Sequence, residues 1–388
     1  MSKVLILAEF QAFGGTRRYL QQLVSYYGER GHRVRVGMLG AIPDETMIDY
    51  LARNQSEWSV IADRGHWPIR KLWRKFPFSA LADIFSTRRN IREFEPDLIV
   101  ISVGTPGLFL GVLALPRPVL YVLHSYPYGR ERYAFLRHLR RWFLQWRLSR
   151  HRQIVTVSNA AADELRRYWW SSGASVEIKV VPNGVPDFPV RRTQMESAED
   201  RPLRIVTAGH VTDYKNPQGW IRVARRVTEI TAERQVEFVW VGGGDLLGDC
   251  RARLRAESLD NVRFVGAVED ARGFVADCDI YFQPSLVESQ GLAVLEAMCA
   301  GRPCVVTDAG GLPESVEDGS TGLVARANDI EDMVEKLGRL IESAALRDLM
   351  GRAARNRWKR LFCEEAWERR MDALHSSWLG DAAPAAVR

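Results

Sequence analysis

The segment from Phe282 to Ala325 constrains this chain of 388 residues more than any other. It reads as an apolar strand, a turn, an apolar helix and a second strand, which predicts a parallel sheet covered by helices. The helix starts near Gly291 and is apolar almost all round, so we expect it to be buried. Glu296 lies in the middle of this helix, and a buried carboxylate is costly unless donors satisfy its oxygens. The sequence therefore predicts either a salt bridge to an arginine or a ligand with paired hydroxyl groups at Glu296.

The residues around this helix favour an anionic ligand. The amides at Ser289, Gly291 and Leu292 open the helix, and unpaired amides at a helix start bind anions such as a diphosphate. Gly310-Gly311 ends the next strand with a turn that lets the backbone approach a ligand. A plain βαβ unit with glycine turns is the alternative reading of the same residues.

The complete string is more specific than its parts. It reads E-S-x-G-L-x-x-L-E-A-M-x-x-G-x-P-x-V and continues with G-G-x-x-E and D-G-x-T-G. This string resembles the donor-site signature of the retaining glycosyltransferases of family 4, which share the GT-B fold. The resemblance is close in this segment and looser elsewhere. It implies that Glu288 lies by the donor sugar and that Glu296 binds the ribose of the nucleotide.

The length suits two domains, and the contents of 46% hydrophobic and 26% charged residues are ordinary for a soluble globular protein. With the resemblance, this predicts an α/β fold of the GT-B type, in which two Rossmann-like domains face each other across a cleft. We expect an N-terminal acceptor-binding domain (1–187), a linker (188–202), a C-terminal nucleotide-sugar-binding domain (203–362) and a C-terminal helix that crosses back to the first domain (363–388).

Several classes of protein are disfavoured by what the sequence lacks. No apolar run approaches the length of a membrane span, and the N-terminus reads as a first strand rather than a signal peptide. The five cysteines form no C-x-x-C pair and no metal-like spacing with histidines. No D-x-D stands in a glycine-flanked turn. We therefore expect a cytoplasmic protein, soluble or peripheral on the inner face of the membrane, without metal or cofactor.

Two stretches of the first half, 66–78 and 129–152, hold all the excess positive charge of the chain and many of its aromatic residues. In the second stretch, aromatic and leucine side chains recur at helical spacing beside arginines. One reading is a core-facing helix with a solvated arginine face, and the other is a helix on an anionic membrane surface. No nucleic-acid-binding module accompanies these stretches, so nucleic acid is not an expected partner.

Two candidate site residues lie in the first half. Gly14-Gly15 follows the first strand and precedes a helix, an arrangement that suits phosphate but also an ordinary tight turn. The resemblance places Gly15 near the donor phosphate. His124 follows the strand 118–123, at the carboxyl end where ligands of open α/β sheets bind, although a packed or capping histidine is the alternative. The resemblance implies that His124 orients the donor sugar.

Lys215 is the expected phosphate ligand of the second half. It follows Gly209 by six residues after the first strand of this half, where a cation can neutralise a departing diphosphate. The family has an arginine directly after the glycine, whereas this chain has His210, which weakens the permanent positive charge there. In the family, turns equivalent to those at Gly243, Phe264 and Val268 frame the nucleotide base through the backbone.

The predicted activity is that of a retaining, metal-independent hexosyltransferase. It would move a sugar from a UDP- or GDP-sugar to a hydroxyl of a lipid-linked or membrane-surface glycan in polysaccharide or lipopolysaccharide assembly. Three alternatives remain open: a transferase for a soluble acceptor, a nucleotide-sugar 2-epimerase, and a non-catalytic nucleotide-binding subunit.

Overall fold

The computed structural model describes residues 1–9, 14–40, 42–63, 78–103, 118–124, 152–169, 177–188, 201–231 and 235–379. Within these ranges no helix has the length and hydropathy needed to cross a membrane. The basic stretches 66–78 and 129–152, apart from their last residues, and most of the predicted linker 188–202 lie outside the described residues.

The chain divides by its contacts into two compact units. The first unit comprises Met1–Val181 with Glu368–Arg388, and the second comprises Pro182–Trp367. Each unit contains one parallel sheet with helices in the connections. Two α/β units of this kind are what the sequence predicts.

The described sheet of the first unit has the strand order β3-β2-β1-β4-β5-β6-β7. Its inner strands are continuous apolar runs, and β4 and β5 are buried along their whole length, as expected for strands covered on both faces. The strands are β1 Lys3–Glu9, β2 Arg33–Gly40, β3 Glu57–Asp63, β4 Leu98–Val103, β5 Val119–Leu123, β6 Arg152–Thr156 and β7 Ile178–Val180. The helices are Gly15–Glu29, Glu45–Arg53, Phe78–Phe94 and Asn159–Trp169.

The described sheet of the second unit has the strand order β10-β9-β8-β11-β12-β13. One side of its core is built on the fully buried side chains of Trp220, Phe238 and Trp240. The strands are β8 Leu203–Ala208, β9 Val236–Val241, β10 Val262–Gly266, β11 Ile280–Gln283, β12 Cys304–Thr307 and β13 Gly322–Ala325. The helices are Pro217–Ile230, Leu247–Ala256, Arg272–Ala276, Leu292–Cys299, Leu312–Ser315, Ile330–Glu342 and Ala344–Leu361, with a 3₁₀ turn at Asp213–Lys215.

Both sheets reverse their strand order beside their first strand. In the second unit the chain runs outward from β8 through β9 to β10, then returns to add β11 on the other side of β8. The carboxyl edge between β8 and β11 is thus the point where the strand order reverses, and ligands of such folds bind at an edge of this kind.

The last helix, Glu364–Leu379, belongs to the first unit from Glu368 onward. Its buried face is polar as well as apolar. The Tyr26 hydroxyl donates to Asp372 over 2.6 Å, and a 3.0 Å hydrogen bond joins the Tyr27 hydroxyl to His375 Nε2. Arg30 pairs with Asp372 as well. These contacts account for the assignment of a C-terminal segment to the N-terminal unit.

The segment 182–187, which the sequence analysis assigns to the first domain, belongs to the second unit by its contacts. The Val185 amide donates to the Phe362 carbonyl over 2.8 Å. Asp187 accepts a hydrogen bond of 2.7 Å from Arg355. The V-P-N-G-V turn is therefore the first part of the second unit rather than the end of the first.

Candidate functional site

Lys215 and Glu288 form an ion pair at the point where the strand order of the second unit reverses. Lys215 lies in the loop after β8 and Glu288 in the loop after β11, 73 residues further along the chain. Their side chains are only 13% and 14% exposed. The fold thus brings together Lys215 and Glu288, a basic and an acidic side chain that were predicted separately from the sequence.

The loop after β8 is fixed by contacts on both sides of Lys215. The indole Nε1 of Trp240 donates to the Gly209 carbonyl over 2.9 Å. Asn216, in a left-handed conformation, caps the helix Pro217–Ile230 by accepting from the Gly219 amide at 3.0 Å. The aliphatic part of Lys215 passes over Gly209, where an added Cβ would lie 3.7 Å from Lys215 Cε. These contacts hold Lys215 at the sheet edge.

Backbone hydrogen bonds join the loop of Lys215 to that of Glu288. The Leu286 amide donates to the Tyr214 carbonyl over 2.8 Å, and the Gly311 amide donates to the Glu288 carbonyl over 3.0 Å. The two charged side chains therefore extend from loops that are anchored next to each other. A site on such anchored loops is preorganised, since little needs to move when a ligand arrives.

The glycines after β9 allow a close approach between backbones. At Gly242 φ is +146°, and an added Cβ would lie 2.0 Å from the Gly209 carbonyl oxygen. The Val211 amide donates to the Gly243 carbonyl over 2.8 Å. In the structure, Gly242 and Gly243 therefore allow the loop after β9 to pack against the loop that carries Lys215.

The helix Leu292–Cys299 begins in the loop that carries Glu288. Gly291 precedes it with φ +87°, a conformation that side chains rarely adopt, and Ser289 is buried beside it. The first turn of a helix presents amides without intrahelical partners, and the helix dipole favours an anion there. Glu296 is 3% exposed and lies one turn after Leu292 on the same helix. A helix start of the kind that favours anions and a buried carboxylate thus share one short element.

Gln290 links this helix start to the first residues of the second unit. Its Oε1 accepts hydrogen bonds of 2.8 Å from the backbone amide and from Nδ2 of Asn183. The Asn183-Gly184 turn, matched to the family from the sequence, therefore supports the loop that carries Glu288.

The remaining candidates of the second unit differ in what they present. Phe264 is 5% exposed and packs on Trp240, with 5.6 Å between the ring centroids. Its carbonyl accepts from Arg251 Nη2 at 2.9 Å. Val268 is partly buried against the core around helix Leu292–Cys299. His210 is exposed, so it does not share the enclosed position of Lys215.

In the first unit, His124 lies directly after β5 and is held on two sides. A 2.8 Å hydrogen bond joins its Nε2 to Ser102 Oγ, and its ring meets the edge of Tyr19 at a centroid distance of 4.3 Å. Burial lowers the pKa of His124 to about 4. The imidazole is therefore neutral near pH 7, which suits hydrogen bonding to a hydroxyl better than proton donation.

Gly15 is the first residue of the helix Gly15–Glu29, and it is exposed. Gly14 before it has φ +107°. In the described part of the chain, no group of three or more His, Cys, Asp or Glu side chains is arranged to hold a metal ion.

Sequence reasoning missed three polar residues that lead from the sheet to Glu288. They are Tyr281, Gln283 and Ser285, all nearly or fully buried. Their signal is the alternation of polar residues in an otherwise apolar strand, which places them on one face.

Two glycosyltransferase families match the chain over most of its length. The family described as Glycosyltransferase Family 4 matches residues 13–187, and the family described as Glycosyl transferases group 1 matches residues 202–343. The matches thus fall on the two halves separately and leave the segment between them unmatched.

Relatives and solved structures agree with these families. The D-inositol 3-phosphate glycosyltransferase of Corynebacterium jeikeium is 28% identical over 239 residues, which are 57% of this chain and 55% of that protein. The sulfoquinovosyl transferase of Arabidopsis thaliana is 26% identical over 376 residues, 89% of this chain and 67% of that protein. The chain thus spans about half the length of the first relative and about two thirds of the second.

Two solved structures share the fold. A glycosyltransferase from Rickettsia africae has a TM-score of 0.77 at 16% identity, with 98% of this chain and 99% of that chain covered. Anabaena HepE, crystallised with UDP-glucose, has a TM-score of 0.77 at 19% identity, with 97% of this chain and 100% of that chain covered. With the family matches and the two parallel sheets, these likenesses lead to one conclusion: the chain belongs to the family 4 glycosyltransferases and has the GT-B fold.

Proposed function

We propose that this protein transfers a sugar from a nucleotide diphosphate sugar to an acceptor hydroxyl, with retention of the anomeric configuration. The observation that carries the proposal is the enclosed Lys215–Glu288 pair where the strand order of the second sheet reverses. In this proposal Lys215 binds the diphosphate, Glu288 binds hydroxyls of the donor sugar, and Glu296 accepts hydrogen bonds from the ribose. The UDP-glucose bound by Anabaena HepE, which has the same fold, supports a donor of this kind.

The charge of the diphosphate would be met by protein groups alone. Lys215 supplies a full positive charge, and the amides at the start of helix Leu292–Cys299 supply partial charges. Fixed positive groups of this kind stabilise the negative charge that develops on a leaving phosphate. We therefore propose a reaction without metal or other cofactor.

The proposed reaction is a displacement on one face of the sugar through an oxocarbenium-like state. The bond between the anomeric carbon and the phosphate oxygen breaks, and a bond from that carbon to the acceptor oxygen forms. The acceptor proton passes to the departing phosphate, which leaves as the nucleotide diphosphate. The neutral imidazole of His124 is proposed to align the sugar through a hydrogen bond, and no enzymic nucleophile is assigned.

The proposed acceptor is a lipid-linked or membrane-surface glycan, as in polysaccharide or lipopolysaccharide assembly at the cytoplasmic face of a membrane. The N,N'-diacetylbacillosaminyl-diphospho-undecaprenol alpha-1,3-N-acetylgalactosaminyltransferase of Campylobacter jejuni, 34% identical over 113 residues, supports it; the match covers 29% of this chain and 30% of that protein. The basic, aromatic stretches 66–78 and 129–152 support an anionic membrane surface as partner. Charge reversal of Arg137, Arg140 and Arg141 should abolish cosedimentation with anionic liposomes, and unchanged cosedimentation would exclude this surface.

A small soluble acceptor is the second candidate, because the match to a D-inositol 3-phosphate glycosyltransferase covers 57% of this chain. Incubation of the protein with its sugar donor and either a lipid-linked acceptor or a phosphorylated polyol separates the two. Mass spectrometry of the products identifies which acceptor gains a sugar.

Calorimetric titration with UDP, GDP and ADP tests the donor site directly. One nucleotide should bind tightly to the wild type and about 10- to 100-fold more weakly to Glu296→Gln, since hydrogen bonds to a charged group are worth roughly 1.5–3 kcal/mol. Glu317→Gln is the matched control, because Glu317 is 58% exposed and pairs with Arg357 outside the proposed site. Absence of binding by folded wild type would overturn the proposal.

A further inference from the structure

Three polar side chains lie on one face of the strand and turn that lead to Glu288. Tyr281, Gln283 and Ser285 alternate along β11 and its continuation, and they are 0%, 1% and 0% exposed. The neighbouring strands are mostly apolar, and buried polar groups in such places are retained only with hydrogen-bond partners. Their partners are one another, the backbone of Ala208 at one end and Glu288 at the other.

The distances set the direction of each hydrogen bond. The Ala208 amide donates to the Tyr281 hydroxyl over 3.3 Å; the Ala208 carbonyl oxygen lies at the same distance from this hydroxyl, and Gln283 Oε1 is closer, at 2.6 Å. A distance of about 2.7 Å is typical of O–H···O and shorter than the usual N–H···O of about 2.9 Å. Tyr281 therefore donates to the amide oxygen of Gln283, which turns the amide nitrogen toward Ser285.

Ser285 is the last member of this directed row. Gln283 Nε2 donates to Ser285 Oγ over 2.8 Å, so the proton of the Ser285 hydroxyl is left for another acceptor. Glu288 Oε2 lies 3.5 Å from Ser285 Oγ, a long contact, and the same carboxylate oxygen pairs with Lys215. A carboxylate only accepts, so it ends the row.

Resting on the proposed function, we propose that Tyr281, Gln283 and Ser285 are positioning residues that hold the Glu288 carboxylate when Lys215 leaves it for the diphosphate of the sugar donor. Glu288 is 14% exposed, and a carboxylate in such a place is costly once its cationic partner is withdrawn. The hydroxyl of Ser285 then becomes its fixed donor on the protein side. Glu288 keeps the orientation in which it binds the donor sugar.

A double-variant cycle tests this exchange without any substrate. Lys215→Met imitates the state in which the ammonium has left the carboxylate. Ser285→Ala should lower the urea midpoint of unfolding little in the wild type and clearly more in the Lys215→Met background, because only there does Glu288 depend on Ser285. An equal decrease in both backgrounds would overturn the inference.

Kinetics separate positioning from mere structural support. Ser285→Ala and Gln283→Leu should lower kcat/KM for the nucleotide sugar by about 10-fold and weaken binding of the bare nucleotide diphosphate less, since the diphosphate alone withdraws Lys215 but only the sugar needs the orientation of Glu288. Tyr281→Phe should act in the same direction but less, because it only frees the Gln283 amide to turn.

Thr207→Val is the matched control, because Thr207 is also fully buried and its hydroxyl donates to the Phe282 carbonyl outside this row. Equal losses in nucleotide affinity and in kcat/KM would overturn the positioning role. If the wild type binds no nucleotide at all, the proposed function fails, and the unfolding cycle still decides whether Ser285 supports Glu288.

Discussion

The two units share the strand order of their sheets but carry different chemistry at the carboxyl edge. In the second unit an ammonium and a carboxylate, Lys215 and Glu288, pair in a largely enclosed place. In the first unit His124 is kept neutral by burial and lies between Ser102 and Tyr19. The same topology therefore supplies the position, while the local side chains decide whether that position carries an ion pair or a neutral imidazole.

Replacement of Lys215 tests the ionic half of this comparison and should have the largest effect. Lys215→Met removes the full positive charge proposed to meet the diphosphate, so kcat should fall by about 10²–10³, as when one stabilising donor of a developing anion is lost. Lys336→Met is the control, since Lys336 also pairs with an acid, Asp332, but on the helix Ile330–Glu342. Initial-rate assays measure the effect. An unchanged rate for Lys215→Met would show that the charge of Lys215 does not distinguish the carboxyl edge of the second sheet from that of the first.

Gly242→Ala tests whether the second unit depends on close backbone contacts to place its charges. An added Cβ would lie 2.0 Å from the Gly209 carbonyl oxygen at a φ of +146°, so neither backbone can yield cheaply. We expect a loss of roughly 1–3 kcal/mol in the free energy of unfolding. Gly248→Ala is the control, because an added Cβ there meets nothing within 4 Å. Urea denaturation measures both, and equal stability of the two variants would contradict the expectation.

As the pH falls, the first unit should begin to lose folding stability at a higher pH than the second unit. Burial lowers the pKa of both His124 and His375 to about 4, below the value of about 6.5 in an unfolded chain. Between these values the unfolded state binds a proton that the folded state does not, so stability falls as pH drops from about 6.5 to 4. In the second unit desolvation raises the pKa of Asp279, but the hydrogen bonds from Arg201 and the Arg204 amide together outweigh it and lower that pKa, so the contribution of Asp279 is lost only below the ordinary carboxylate range.

His375→Gln isolates this difference. Because of the buried His375, the free energy of unfolding of the wild type should fall by about 1–2 kcal/mol between pH 7 and pH 5. That of the variant should fall less over the same interval. Hydrogen exchange at the two pH values, corrected for intrinsic rates, should show loosening in the helix Glu364–Leu379 and not in β8 or β11. The same pH dependence in variant and wild type would contradict the assignment of the acid response to His375.

The sequence predicted the repeating strands and helices well, because apolar runs followed by glycine turns depend on local chemistry. It also selected Lys215 and Glu288, because the string around Glu288 and the position of Lys215 after Gly209 resemble the donor site of the family. It could not show that Gln290 binds Asn183, 107 residues away, one of the contacts that group the segment 182–187 with the second unit. Nor could it show that the Phe264 ring packs on Trp240, because an apolar side chain at a strand end suits both a core and a site.

The smallest effect is expected at Asp187, which ties the start of the second unit to Arg355 by two hydrogen bonds of 3.0 and 2.7 Å. Asp187 is 59% exposed, so Asp187→Asn should cost less than about 1 kcal/mol, and less still at high salt. Arg355 holds the pKa of Asp187 below its usual range, so the pair is intact above that range and is lost only as pH falls through the lowered value. The small deficit of Asp187→Asn should therefore be equal at pH 7 and pH 5 in urea denaturation, unlike the effect of His375. If the stability deficit of Asp187→Asn changes between pH 7 and pH 5, then the Asp187–Arg355 pair of the second unit and His375 of the first unit do not titrate in separate pH ranges.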